Sequence, residues 1–185
     1  KMPKQIGNLD VSFFIVMRPK KSYRLISLLR KASLFTGLLF FNLVAFSQSW
    51  VDSFNQAIKD AQSGKMTEAI GNFDTALSFD DMPDANKVQA YYYRGIAKAS
   101  IDKVESAIAD FGEALKIDEN FEDAYLQRGL LYNNIGKPEL AIADLDRAKN
   151  LARPEAVFQV AKGRGIALMN IGKNEKAVSD FNKAL

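Results

Sequence analysis

The chain of 185 residues contains neither histidine nor cysteine, and it carries 25 Lys and Arg against 22 Asp and Glu. Without these two residue types it lacks imidazole bases, thiol nucleophiles and the usual zinc ligands. The first 47 residues hold eight of the basic residues and one acidic residue, which leaves 17 basic and 21 acidic residues beyond them. Because a nucleic-acid interface needs a basic patch on the folded domain, we predict no nucleic-acid partner.

The first 47 residues have the layout of an export signal. A basic region precedes an apolar run of 13 residues, Leu34 to Phe46, and small residues follow it. A membrane span needs about 20 apolar residues, so residues 17–47 are predicted to be a signal peptide cleaved before Gln48. An uncleaved anchor at residues 34–46, in the inner membrane, is the alternative. We therefore expect an exported protein, periplasmic or secreted.

The two ends of the chain also carry expectations. Residues 1–16 lie upstream of the basic region, where a signal peptide normally starts, so we expect a non-native extension or a disordered segment there. The chain stops at Leu185 inside a predicted helix, without the polar outer face that usually closes a stack of repeats. We therefore expect a longer parent protein with its last repeat truncated here.

A pattern of small and apolar residues recurs from Trp50 onward. The pattern Ala-Ile-x-x-Phe and its variants begin at four alanines that are 38, 34 and 36 residues apart, namely Ala69, Ala107, Ala141 and Ala177. A nearly fixed period of this size indicates stacked structural repeats. Within each copy the apolar residues lie at i, i+1, i+4 and i+7, which places them on one face of a helix.

An earlier amphipathic helix is predicted in each copy, with a small residue near its middle. These small residues are Ala57, Gly95, Gly129 and Gly165. They allow two helix axes to approach closely, and a Phe or Leu from the second helix fills the seam. A helix pair this short cannot bury its apolar face alone, so neighbouring pairs must stack.

These features resemble the tetratricopeptide repeat family, in which helix pairs recur with a period near 34 residues. The aromatic residues Tyr91 and Tyr125 before two of the glycines add to the resemblance, whereas the first copy lacks both Gly and Tyr in its first helix. The resemblance implies an all-α, right-handed solenoid of about four antiparallel helix pairs within residues 48–185. The expected repeats span residues 50–83, 88–121, 122–155 and 158–185.

Arginines and aspartates change together between the copies. Three first helices have Arg before the mid-helix glycine, and the matching second helices have Asp before the core Phe or Leu. In the first copy both places are neutral, at Gln56 and Asn72. This pattern predicts structural ion pairs, within a repeat or between neighbours, among Arg94, Arg128, Arg164, Asp110, Asp144 and Asp180. The alternative is an arginine row that grips an anionic ligand.

The resemblance also implies binding of an extended peptide or a partner helix on the concave side of the stack, which the first helices line. The residues expected in this groove are aromatic, aliphatic and amide side chains with one cation: Tyr92, Ile96, Leu126, Leu130, Asn133, Asn134, Lys162, Ile166 and Met169. About half of the apolar ones are expected to be buried between repeats instead.

No catalytic residue, metal site or cofactor is predicted, since the glycines occur singly and neighbouring carboxylates face apart on a helix. The predicted function is an exported scaffold for protein–protein interaction, with a protein or peptide partner. The alternative is a regulatory or substrate-recruiting segment of a larger envelope enzyme or transporter. Membrane contact is expected only through an uncleaved leader, and self-association through the last repeat stays open.

Overall fold

The computed structural model describes residues 49–183, in which the chain forms eight α-helices and no strand. The all-α prediction is confirmed for this part of the chain, whereas the predictions for residues 1–16 and 17–47 lie outside it. No helix among the described residues is both long and apolar enough to span a membrane. The helices are α1 Trp50–Gln62, α2 Met66–Leu77, α3 Asp84–Ser100, α4 Val104–Ile117, α5 Glu122–Asn134, α6 Pro138–Leu151, α7 Val157–Asn170 and α8 Asn174–Lys183.

The helices form four consecutive pairs that stack in chain order. Each first helix packs on its own second helix, and each second helix packs on the first helix of the next pair. First helices of neighbouring pairs also contact each other, α1 with α3 and α5 with α7, whereas the second helices in the described part of the chain do not approach one another to a comparable extent. We call the side of the stack that the first helices form its inner face.

The second pair begins earlier than its predicted start at residue 88. Helix α3 begins at Asp84, directly after Pro83, whose extended backbone (φ −64°, ψ 147°) places its carbonyl at the start of the helix. That carbonyl accepts hydrogen bonds from the amides of Asn86 and Lys87. An acidic residue in the first turn favours the helix N-terminus, so the Asp-rich stretch extends α3 by one turn.

The turn inside each pair contains a residue with positive φ. In the third pair it is Gly136 (φ 68°), and the next amide, that of Lys137, donates to the carbonyl of Tyr132 at 2.9 Å. This is the hydrogen-bond pattern of a Schellman motif, which satisfies carbonyls at the end of a helix. Asp102 (φ 60°) takes the same place in the second pair, because a short polar side chain tolerates the left-handed region.

The core lies in the seams where two helices cross at a glycine. A Cβ atom added to Gly95 would lie 2.8 Å from Cε1 of Phe111, and one added to Gly129 would lie 2.7 Å from Cγ of Leu145. Phe111 and Leu145 are completely buried, so these large side chains occupy the space that the glycines leave open. The predicted small-residue seams are thus confirmed, and they set how closely the helices of a pair approach.

Candidate functional site

The nine predicted groove residues lie on α3, α5 and α7, but they differ widely in exposure. Leu126 is only 4% exposed and belongs to the core between the third and fourth pairs. Leu126 is therefore not the open groove residue that the sequence predicted, because it lies in one core cluster with Leu145 of α6 and Val160 of α7. A ligand on the inner face cannot reach it.

Tyr92 packs against neighbouring aromatic rings. Its ring lies 5.8 Å from the ring of Phe111 and 5.1 Å from the ring of Phe121, measured between centroids. Burial raises the pKa of the Tyr92 phenol well above its usual range, and the carboxylate of Asp123 adds to this shift. Tyr92 thus joins the second pair to the linker before α5, and its side chain is half-buried.

Three more of the predicted residues are half-buried between neighbouring first helices. Ile96 packs against the core of the second pair. The Leu130 side chain packs on Gly163 of α7, where an added Cβ would approach Leu130 Cδ2 to 2.7 Å. Asn133 Nδ2 donates to the backbone carbonyl of Gly163 at 2.9 Å. Leu130 and Asn133 position α5 against α7. All three residues expose only part of their surface.

The open part of the predicted groove is concentrated on α7 and the end of α5. Asn134 and Lys162 are exposed, Ile166 is 40% exposed and Met169 is 54% exposed. Phe158, which the sequence analysis missed, is exposed on the same helix face, since residues four, eight and eleven positions apart share a face. In the repeat alignment Phe158 takes the same position as two residues of earlier pairs that are buried, so no signal in the sequence indicated that Phe158 is exposed.

The structure brings the predicted Arg and Asp residues together inside each of the last three pairs. Arg128 donates from Nε and Nη2 to the two carboxylate oxygens of Asp144, both at 2.7 Å. Arg94 makes the same two contacts with Asp110, at 2.9 and 2.6 Å. Arg164 repeats them with Asp180, also a buried carboxylate. Two parallel hydrogen bonds fix both side chains, so each pair clamps a first helix to its second helix.

The first pair is also held together at a carboxylate, but there the carboxylate lies on the first helix. Gln56 Nε2 and Asn72 Nδ2 donate to the two oxygens of Asp60, at 2.9 and 2.8 Å. Asp60 lies one helical turn after Gln56, at the place that Lys98 occupies in the second pair. There Lys98 Nζ lies 2.8 Å from Asp110 Oδ2. The carboxylate has therefore moved from the second helix to the first, and the two neutral positions are its donors.

Two of the arginines also contact the preceding repeat, and the sequence predicted no particular partner residues for these contacts. Arg94 Nη1 donates to Asp74 of the preceding second helix at 2.6 Å. Arg164 Nη1 contacts Asp146 in the same way. Burial alone would lower the pKa of Arg94, but its hydrogen bonds and charge interactions with Asp110 and Asp74 outweigh burial and raise it. The ion pairs thus tie neighbouring repeats together as well as the helices within one.

The linker before α7 is held by a separate cluster. The backbone amide and Nε of Arg153 both donate to Glu122 Oε2 at 3.1 Å, and its Nη2 donates to Asp123 at 2.9 Å. These contacts anchor the irregular linker on the first turn of α5. Sequence reasoning missed them because Arg153 lies outside the helical pattern, where spacing predicts no partner.

Between Ser49 and Lys183 no group of three or more acidic side chains is placed to hold a metal ion. The buried carboxylates at the helix crossings face cations or amide donors instead. An extended open surface on the first helices is the stripe on α7, formed by Phe158, Lys162, Ile166 and Met169. The stripe presents three apolar side chains and one cation.

Stacked helix pairs, clamped by buried ion pairs and open along an inner face, define a helical-repeat protein of the solenoid class. The family model of the tetratricopeptide repeat matches residues 122–154, the third pair and its linker. The third pair therefore matches a tetratricopeptide repeat, as the spacing of its glycine and alanines predicts. A search of curated proteins found no match.

Several solved structures are similar to this chain. A crystal structure of MamA has 23% sequence identity and a TM-score of 0.66, and the match covers 73% of this chain and 75% of MamA. MamA from Desulfovibrio magneticus RS-1 has 21% identity and the same TM-score, over 73% of each chain. A tetratricopeptide repeat protein from Parabacteroides merdae has 21% identity and a TM-score of 0.62, over 73% of this chain and 50% of that one. These similarities show the fold.

Proposed function

We propose that this protein is a scaffold that binds a segment of another protein on the inner face of its helix stack. The observation that carries the proposal is the exposed apolar stripe on α7, with Ile166 at 40% and Met169 at 54% exposure. Soluble proteins seldom expose neighbouring large apolar side chains without a binding role. The curved inner face of a helical solenoid is the surface that such proteins use for partners.

The composition of the stripe describes the partner segment. Phe158, Ile166 and Met169 offer apolar contacts, and methionine adapts to side chains of different shape. Lys162 lies between them and favours a partner with one acidic side chain. Asn134 is exposed at the end of α5, where an amide can hydrogen-bond to an extended backbone. The expected ligand is therefore an apolar segment, extended or helical, that carries a single carboxylate.

The test compares two variants that add the same charge at different places. Met169→Glu changes the inner face, and Leu140→Glu changes an apolar residue on α6 that is similarly exposed. We expect proteins captured from a native envelope fraction by the intact chain to be lost with Met169→Glu and retained with Leu140→Glu. Both variants should melt close to the parent protein. Equal capture by both variants, or equal loss in both, would refute a ligand on the inner face.

The proposed location is the cell envelope or the exterior, and the layout of residues 17–47 supports it. The basic region and the apolar run of 13 residues are typical of a cleaved export signal. N-terminal mass spectrometry of the protein from its native source tests this part separately. A mature N-terminus at Gln48 is expected. A peptide that spans residues 44–52 in the mature protein would contradict cleavage and favour the anchor.

A further inference from the structure

The three arginine clamps are alike in two of their contacts and differ in the third. Each guanidinium uses Nε and Nη2 for the aspartate of its own repeat. In the second and fourth pairs Nη1 then contacts an aspartate of the preceding second helix, Asp74 or Asp146. Those two aspartates are about half exposed, so this third contact lies near the surface.

The third pair lacks the corresponding carboxylate. Gly112 takes the place that Asp74 and Asp146 have in the other repeats, directly after the core phenylalanine or leucine. A Cβ atom added to Gly112 would lie 3.6 Å from Arg128 Nη1, an ordinary van der Waals distance. Among the described residues no acceptor contacts Arg128 Nη1, and the Arg128 side chain is 21% exposed. The gap therefore has room for a carboxylate and is open to solvent.

The charges around this gap favour an anion. Arg128 and Arg147 both lie over the ring of Tyr125, with guanidinium carbons 5.8 and 5.6 Å from its centroid. Asp144 is the one carboxylate that pairs with them within 4 Å among residues 49–183. In the second pair, by contrast, the two cations Arg94 and Lys98 face two carboxylates. The third clamp thus carries an excess positive charge that the second does not.

We infer that the gap between Gly112 and Arg128 is a carboxylate-binding site, which accepts the side chain of an Asp or Glu from a partner protein. The chemical class follows from the chain itself, because an aspartate carboxylate occupies the same place in the second and fourth pairs. Arg128 Nη1 donates to the incoming oxygen, and Arg147, which also lies over the Tyr125 ring, adds a second positive charge to the third pair. The site lies between α4 and α5 and does not depend on the inner face of α7.

A titration with acetate, at constant ionic strength maintained with chloride, tests the site. The readout is the Nε–Hε resonance of each arginine in ¹⁵N NMR spectra of the whole chain. Because Arg94 and Arg164 already have a third acceptor, they are internal controls. We expect a saturable shift for Arg128, with half-saturation on the order of tens of millimolar, and no saturable shift for Arg94 or Arg164. Equal responses of all three arginines would overturn the site.

Two variants at one position sharpen the test. Gly112→Asp supplies the missing carboxylate from within the chain and should abolish the acetate response of Arg128. Gly112→Ala adds only a methyl group and should retain the response. A response that persists unchanged in Gly112→Asp would overturn the inference. If Gly112→Asp does not fold, the comparison of the three arginines in the parent protein decides by itself.

The choice of probe distinguishes a protein carboxylate from an inorganic anion as the ligand. A blocked tripeptide Gly-Glu-Gly should shift the Arg128 resonance at least as strongly as acetate, and the matched Gly-Gln-Gly should not. Inorganic phosphate is the third probe. Saturation by phosphate at a tenfold lower concentration than by the glutamate peptide would identify an inorganic anion site and overturn the assignment to a protein carboxylate.

Discussion

Asp110 is the residue at which we expect a single polar exchange to destabilise the stack most. Its side chain is 4% exposed, and it faces Arg94 and Lys98, which are 15% and 17% exposed. Asp110→Asn removes a charge that receives two hydrogen bonds from Arg94 and a close contact from Lys98. Two largely buried cations then remain, with the half-exposed Asp74 as the remaining carboxylate beside Arg94.

The expected loss follows from the burial of these groups. Removing one partner of a buried ion pair typically costs about 3–5 kcal/mol, because the other charge stays buried without compensation. Asp74 still accepts a hydrogen bond from Arg94, and the amide oxygen of the introduced asparagine can accept another, so we place Asp110→Asn at the lower end, about 3 kcal/mol. An exposed pair would contribute less than about 1 kcal/mol.

The first pair supplies a matched rescue. The combination Arg94→Gln, Lys98→Asp and Asp110→Asn reproduces in the second pair the set Gln56, Asp60 and Asn72, whose two amides both donate to the carboxylate. Each buried donor again faces an acceptor, and the interaction that this variant gives up is the half-exposed one with Asp74. We expect the triple variant to recover most of the stability and to unfold within about 1 kcal/mol of the parent protein.

The assay is urea-induced unfolding followed by circular dichroism, with amide hydrogen exchange in α3 and α4 as a local measure. The local measure is needed because repeat arrays can unfold in steps, which makes a single free energy of unfolding ambiguous. A loss below about 1 kcal/mol for Asp110→Asn would show that the pair behaves as an exposed one. A triple variant that is less stable than Asp110→Asn would refute the equivalence of the two arrangements.

Three further predictions concern the seams and the packing of the first helices. Gly95→Ala places a methyl group against the buried ring of Phe111 and should lower the free energy of unfolding by about 1 kcal/mol net. Gly71→Ala adds its methyl group in open space on α2 and should raise the free energy of unfolding by up to about 1 kcal/mol. Urea unfolding of both variants measures the difference. The pKa of Tyr92 in the folded protein is raised above its usual 10.0, so the stability that the neutral phenol contributes is fully present below pH 10 and is lost as the pH rises toward the folded value. Tyr92→Phe should therefore reduce the decline in the free energy of unfolding measured from about pH 9 to 11. Asn133→Ala removes the hydrogen bond from α5 to the α7 backbone and should lower the free energy of unfolding by about 1 kcal/mol. Amide exchange should accelerate more in α7 than in α1.

The amino-acid sequence by itself determined the helix pairs and the contacts within each repeat. Alanines and glycines at a nearly fixed period indicated where helices cross, and the crossings of Gly95 with Phe111 and of Gly129 with Leu145 follow that pattern. The Arg and Asp positions changed together between copies, and the structure brings them to hydrogen-bonding distance. These features were readable because each repeat samples the same local geometry, so one chain contains several versions of the same contact.

Only the tertiary structure decided which inner-face residues stay open and where the repeats differ from one another. Leu126 and Ile166 both occupy predicted groove positions on first helices, yet the first is enclosed and the second is exposed. In the first pair the buried carboxylate is that of Asp60 on the first helix, whereas the other pairs have it on the second helix. An alignment of matching positions does not reveal this exchange. The physical reason is that periodicity defines the face of a helix, whereas the exposure of a residue and the partner of a charge depend on how closely the neighbouring helices approach.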